Sequence, residues 1–299
     1  MPRITASTSP AGKKKIKVGD TEDYVLPTVP HPVSADINDY HFLISGEAGI
    51  GKTSSTMTMP GVFLISFDPF HKSLNVIEEY CAGTVQGFRK FLKILKALEA
   101  ACKNTFPYPR VVIDGADLWF RACQKYVCYN SGVEHPADGK YGKVWDSLKS
   151  EFISVVDRMM ALPCGIWFVC HAKDKEVEKR DGTKVEKLRP VLSNAAEEIL
   201  VGKVNGLFNF HYINDERVCR IRGSEDISAK CNVDGHFQTP KGRQVVDIML
   251  GDEGPKVAYE RIIKAFHNRQ TYVGYDEYQK RKEKDNPAPV KVKKTFGKK

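Results

Sequence analysis

The residues Gly46-Glu47-Ala48-Gly49-Ile50-Gly51-Lys52-Thr53 follow almost directly on the apolar run Phe42-Leu43-Ile44, with Ser45 between them. A short buried strand feeding G-x-x-x-x-G-K-[ST] constrains this chain more than any other feature in it. The glycines let the backbone wrap a phosphate chain with its N–H groups turned inward, between the end of a strand and the first turn of a helix. Lys52 then reaches the β- and γ-phosphates, the Thr53 hydroxyl ligates Mg²⁺, and Ser54 completes a cradle that runs from Gly46 to Ser54. The expected ligand is ATP, with Mg²⁺ as its companion.

The rest of the body alternates strands and helices. Apolar runs at 62–67, 110–114 and 165–170 read as buried strands, and strands are also expected at 206–213, 217–222 and 244–250. Between them, Phe88, Phe91, Leu92, Leu95 and Leu98 recur along one helical face. Further helices are expected at 116–129, 141–162 and 255–267. This order predicts an α/β fold of the P-loop NTPase type, a mostly parallel twisted sheet with helices on both faces. Such a sheet collects its chemistry at the carboxyl ends of its strands. Here those ends bring Asp68, Asp114 and His171 toward the phosphate loop. Asp114, after Val111-Val112-Ile113, is the expected carboxylate that holds Mg²⁺ through its water shell. Gly115 follows it where AAA+ motors carry Glu, so the water-activating carboxylate is sought elsewhere. Asp68 is the candidate and Glu47 a weaker rival.

With 41% hydrophobic residues the chain can build a sizeable core. No apolar stretch is long enough to span a membrane, and residues 1–19 lack a secretory h-region, so a cytoplasmic protein is expected, in the host cell if the source is viral. Six of the eight cysteines are scattered through apolar segments, as buried thiols in a reducing compartment would be. Cys123, Cys128 and His135 lack the second ligand pair of a zinc site.

The formal net charge is +9, but it resides at the ends. Residues 1–20 carry Arg3, Lys13, Lys14, Lys15 and Lys17 against Asp20, and residues 280–299 carry nine Lys or Arg against Glu283 and Asp285, so the body between them is slightly acidic. The expected organisation is a disordered basic arm at 1–36, a nucleotide-binding domain at 37–270 and a disordered basic tail at 271–299. Tyr272, Tyr275, Tyr278 and Phe296, interleaved with that positive charge, suggest a nucleic-acid contact as the alternative to simple solvation.

Taken together, the strand, the GExGxGKT loop, a short helix broken by Pro60, a strand ending in an acid and the run VVIDGADLW resemble the RecA-type ATPase core. In particular, residues 39–239 resemble the small core-only RecA-like ATPases of bacteriophages, usually labelled AAA-family ATP-binding proteins and linked to single-strand annealing and recombination. The resemblance implies a DNA-stimulated ATPase, oligomeric with ATP at subunit interfaces, acting on single-stranded DNA and meeting a single-stranded DNA-binding protein. It makes His171 a polar sensor of the γ-phosphate. The segment after it would be a DNA-contacting loop supplying Lys173, Lys175, Lys179, Arg180, Lys184, Lys187 and Arg189, and Asp181-Gly182 in its middle signals a hairpin turn. Ala229-Lys230-Cys231-Asn232 resembles the family's AKxR segment, which makes Lys230 a cation acting on a neighbouring subunit's nucleotide. Asn232 stands where the second basic residue is expected, and this departure weakens the case for strong assembly-driven hydrolysis. Two other readings use the same loop: a nucleotide-kinase-like enzyme acting on a small molecule, and a DNA-packaging or helicase-type motor.

Overall fold

A computed structural model describes residues 7–8, 14–16, 24–69 and 75–285 of the chain, in two compact units, Met1–Ala35 and Asp36–Lys299. The first unit contains three short strands, β1 (Ser7–Thr8), β2 (Lys14–Ile16) and β3 (Tyr24–Leu26), paired antiparallel in that order. Composition reads this arm as wholly disordered; at these residues the backbone instead pairs locally, which a charge count cannot register.

The second unit is built on a ten-stranded sheet. Its members are β4 (Phe42–Gly46), β5 (Phe63–Ser66), β6 (Ile77–Tyr80), β7 (Arg110–Asp114), β8 (Gly165–Glu178), β9 (Lys184–Pro190), β10 (Gly206–Ile213), β11 (Glu216–Arg220), β12 (Lys230–Cys231) and β13 (Asp247–Met249). The main path runs β13-β11-β10-β4-β8-β7-β5-β6, with β12 on β10 and β9 on β8. From β10 to β6 every neighbour is parallel, so β4 with its glycine loop lies at the middle of the sheet between β10 and β8.

The apolar runs are continuous because both faces are covered, and the strand period of two deals their side chains to two cores. Leu43, Val111, Ile113 and Phe168 face one core. It is closed by α2 (Val85–Ala101), α3 (Ala116–Ser131), α4 (Lys143–Met160) and α5 (Asn194–Lys203). Phe42, Ile44, Val112, Trp167 and Val169 face the other. There the cover is α1 (Lys52–Thr56) and α6 (Pro255–Phe266), with Ala258, Ile262 and Phe266 turned inward. The carboxyl end of α1 is held from below by Arg110, which is fully buried with its guanidinium 3.5 Å over the Trp167 ring. Its Nη1 donates to the Thr56 carbonyl and its Nη2 to Asn38 Oδ1 and the Tyr259 hydroxyl, so a cation sits at the negative end of the helix.

Composition fails again at the carboxyl end. Residues 275–285 form α7 (Tyr275–Asp285), which is docked on the sheet edge and not disordered. Lys282 pairs with Glu216 at 2.6 Å, the Tyr275 N–H donates to Asp247, and the rings of Tyr272 and Tyr278 meet at 5.1 Å. Two of the tyrosines assigned to nucleic acid therefore pack on each other. Phe296 and the lysines from 291 onward lie outside the described residues.

Candidate nucleotide-binding site

Gly46 ends β4 so close to β10 that a Cβ there would run into the Phe210 carbonyl, so only glycine lets the strand turn out into the loop at this place. The chain re-enters regular structure at Gly51, whose φ of 94° an L side chain rarely adopts, and α1 begins at Lys52. Ile50 anchors the loop from beneath with its side chain in the core.

Lys52 is 6% exposed and bonds across its own loop, donating from Nζ to the Gly46 carbonyl at 2.9 Å and to the Glu47 carbonyl at 2.6 Å. Burial lowers its pKa, and the nearby carboxylates of Asp114, Asp68 and Glu47 act the other way. The Thr53 hydroxyl donates to Asp114 Oδ2 at 2.9 Å. Burial raises the Asp114 pKa, and the Thr53 bond partly offsets this. A hydroxyl and a carboxylate in direct contact beside the loop fit a Mg²⁺ site, in which Thr53 would supply an oxygen ligand and Asp114 would hold the ion through its waters.

Around these residues lies a cavity of about 640 Å³, large enough for a nucleotide, with Lys52, Thr53, Asp68, Asp114, Asp117 and His171 in its wall. Ala48, Gly49, Gly51 and Ser54 also line it, whereas Gly46 and Ile50 support the loop from outside. Glu47 is exposed and its side chain forms no part of that wall. Asp68 follows β5, where the Ser66 hydroxyl donates to its carbonyl at 2.8 Å. His171 lies on β8 in register with Gly46, exposed at the cavity rim. Sequence reading missed Asp117, a third carboxylate in the first turn of α3; its position three residues after Asp114, just inside a helix start, was the available signal.

Lys230 is elsewhere. It pairs with Leu207 in β12, near the amino end of β10 and away from the phosphate loop. Its Nζ donates to the Val201 and Val204 carbonyls at 2.7 and 2.9 Å, satisfying the last turn of α5. Within its own chain it is a helix cap; the short pattern A-K-x-x carries no information about which carbonyls lie near.

The segment after His171 is a hairpin, with β8 and β9 paired from Ala172–Pro190 to Glu178–Lys184 and a turn at Asp181-Gly182. Alternation sorts its charges. Lys173 stands opposite Arg189 and Lys175 opposite Lys187 on one face, whereas Glu176 opposes Glu186 on the other, next to Asp174 and Glu178. Four of the seven proposed DNA cations are in ion pairs: Lys175 and Arg189 with the buried Glu197, Lys179 with Glu225, and Lys184 with Glu176. Lys173, Arg180 and Lys187 make no ion pair among the described residues.

Residues 38–232 match the family described as AAA domain, a span of more than half of the chain, and the chain belongs to that family. The AAA domain and the phosphate loop together imply nucleotide binding and suggest P-loop ATPase activity. The chain is also similar to the SPbeta prophage-derived uncharacterized protein YorG of Bacillus subtilis (strain 168). The two are 26% identical over 155 residues, which make up 51% of this chain and 47% of that relative. The likeness thus spans about half the length of each, and a phage AAA-type ATPase is the class it supports. Among the described residues no helix is long and apolar enough to cross a membrane.

Proposed function

We propose that the chain is a Mg²⁺-dependent ATPase that acts on single-stranded DNA in recombination, annealing or replication, as a homo-oligomer with ATP between subunits. The observation that carries the catalytic half is the convergence of Lys52, Thr53, Asp114 and Asp68 on one cavity at the carboxyl ends of the four adjacent parallel strands β4, β8, β7 and β5 and the helix that follows the loop. In this reading the loop N–H groups and Lys52 hold the phosphates, and Lys52 exchanges its two loop carbonyls for phosphate oxygens. Thr53 and Asp114 would hold Mg²⁺, whose charge would offset that of the phosphates. Asp68 orients the attacking water and accepts its proton, and His171 hydrogen-bonds the γ-phosphate from the rim.

The DNA half is supported by the charge-sorted hairpin. Like charges placed opposite one another disfavour a strand pair, and Lys173, Lys187 and Arg180 offer that cost a release by binding phosphates. Because β8 carries both His171 and the hairpin, DNA contact and γ-phosphate contact share one strand. The test is anisotropy of a labelled oligo-thymidine over a salt series, with and without a slowly hydrolysed ATP analogue, beside ATP turnover with and without that DNA. The expected log–log slope is about −0.7 for each phosphate neutralised, shallower when Lys173 and Lys187 are both changed to Glu. Absence of binding at low salt, with ATP turnover intact, would reject the DNA reading in favour of an enzyme acting on a small molecule.

A further inference from the structure

A second cation touches the phosphate loop, from behind. Arg217, on β11, has a side chain only 15% exposed and donates from Nη1 to the Ile50 carbonyl at 3.4 Å. Its Nε donates to the Gly251 carbonyl at 2.8 Å, and Nη2 donates to the same oxygen. Asp252 lies 3.6 Å from Nε and completes the charge pairing. A Cβ on Gly51 would come within 3.2 Å of Arg217 Nη1, so the guanidinium lies close against Gly51. The cavity wall contains Gly51 and Lys52 and does not contain Arg217. The arginine therefore meets the loop from outside that cavity wall.

That placement has a stereochemical result. The Ile50–Gly51 peptide is planar and trans, so its C=O and its N–H point in opposite directions. A carbonyl drawn outward to Arg217 turns the Gly51 N–H inward, to the cavity. The buried Ile50 side chain and the bonds from Ser55 to the Gly51 carbonyl hold the neighbours of this peptide, but its own orientation rests on the Ile50 carbonyl, because Gly51 has the left-handed φ of 94° and a glycine can exchange that state for others at little cost. We infer that Arg217 is a positioning residue for the phosphate loop, holding the Ile50 carbonyl so that the Gly51 N–H is pre-aimed at the phosphates of a bound nucleotide. The two bonds to Gly251 keep the guanidinium from following the carbonyl into the cavity. The inference rests on the nucleotide reading above and extends it to a residue 167 positions from the loop.

The test uses the full chain. Calorimetry with Mg²⁺-ADP and with a slowly hydrolysed ATP analogue gives affinity, and spectra of ¹⁵N-glycine-labelled protein follow the Gly51 amide. In Arg217→Met, which keeps the apolar stem and removes the donors, both nucleotides should bind about tenfold more weakly, the loss of one charge-assisted hydrogen bond. The displacement of the Gly51 amide resonance by ADP should fall to less than half. Arg217→Lys should recover part of both, because a lysine reaches one carbonyl but lacks the planar fork. A folded Arg217→Met protein with affinity within twofold of wild type and a full Gly51 displacement overturns the inference alone. If Arg217→Met does not fold, Arg217→Gln is judged by the same two readouts. Failure of the wild-type chain to bind either nucleotide overturns the nucleotide reading and this inference with it.

Discussion

Asp114→Asn separates the charge of the proposed metal ligand from its shape. The amide is isosteric with the carboxylate and its oxygen can still accept the 2.9 Å bond from Thr53, so the loop and α1 should keep their geometry. What disappears is the negative charge. Burial holds the Asp114 pKa above its ordinary value of 3.8, which means that ionising it costs the folded protein more than the unfolded chain. The sign follows: this group's stability contribution is complete below 3.8 and is lost as pH rises through the raised folded value. The ligand-free Asn variant should therefore melt above wild type at neutral pH, and the difference should close in acid.

Nucleotide reverses the order. A ligand present at about one hundred times its Kd adds about 2.7 kcal/mol to the folded state, and for a unit the size of Asp36–Lys299 each kcal/mol is about 2–4 °C of melting temperature. Wild type should thus gain about 5–10 °C with Mg²⁺-ATP and clearly less with ATP and EDTA. The Asn variant should show no difference between the two conditions. The assay is a thermal melt of both proteins, without ligand across pH and with ATP plus either Mg²⁺ or EDTA. A magnesium-dependent gain in Asp114→Asn equal to that of wild type would refute the assignment of Asp114 to the metal. A ligand-free variant melting below wild type at neutral pH would refute the electrostatic argument.

Three further outcomes are expected. Asp68→Asn should bind Mg²⁺-ATP within about twofold of wild type but hydrolyse it roughly a hundredfold more slowly, since a water-orienting base acts on the chemical step; equal losses of affinity and rate would remove it from that role. Lys52→Ala should fold and lose ATP turnover altogether, which a colorimetric phosphate assay checks against a melting curve of the same sample. Lys230→Met should leave ATP turnover unchanged and lower the melting temperature by about 2–4 °C, from the loss of about 1 kcal/mol of helix capping; lost turnover in a folded variant would restore its place in catalysis.

Much of the fold was legible because the sheet is covered on both sides. Runs such as Val111-Val112-Ile113 and Ile166-Trp167-Phe168-Val169 contain no polar residue, and only a central strand can bury consecutive side chains in opposite directions. The phosphate loop was legible for a different reason: its function rests on backbone geometry, which glycines report directly. What failed was whatever depended on distant partners. α7 has a composition as charged as any disordered tail, and it is tied down by Glu216 and Asp247, neither of which can be associated with it from local pattern. The capping contact of Lys230 was equally illegible, because the carbonyls that receive it lie 26 to 29 residues earlier in the chain. Arg217 carries no local signal at all, since a basic residue in a short strand next to a turn ordinarily reads as a solvated one, and the carbonyls it serves lie far away in the chain.

The hairpin built on β8 and β9 imposes a parity rule on this region of the chain. Apart from Lys184, its basic and acidic side chains are separated by nothing more than odd and even positions, so adding or removing two residues on an arm lengthens or shortens the ribbon and preserves which charges look which way. A single-residue change in β8 beyond His171 exchanges the faces: it would bring Asp174 and Glu176 to the side that meets Glu197 and carry Lys173 and Lys175 away from it. Length variation among proteins built on this plan should accordingly come in even steps on each arm, with odd steps confined to the turn around Asp181 and Gly182. That expectation concerns drift and insertion, not catalysis, and an alignment of relatives of this chain would be enough to examine it.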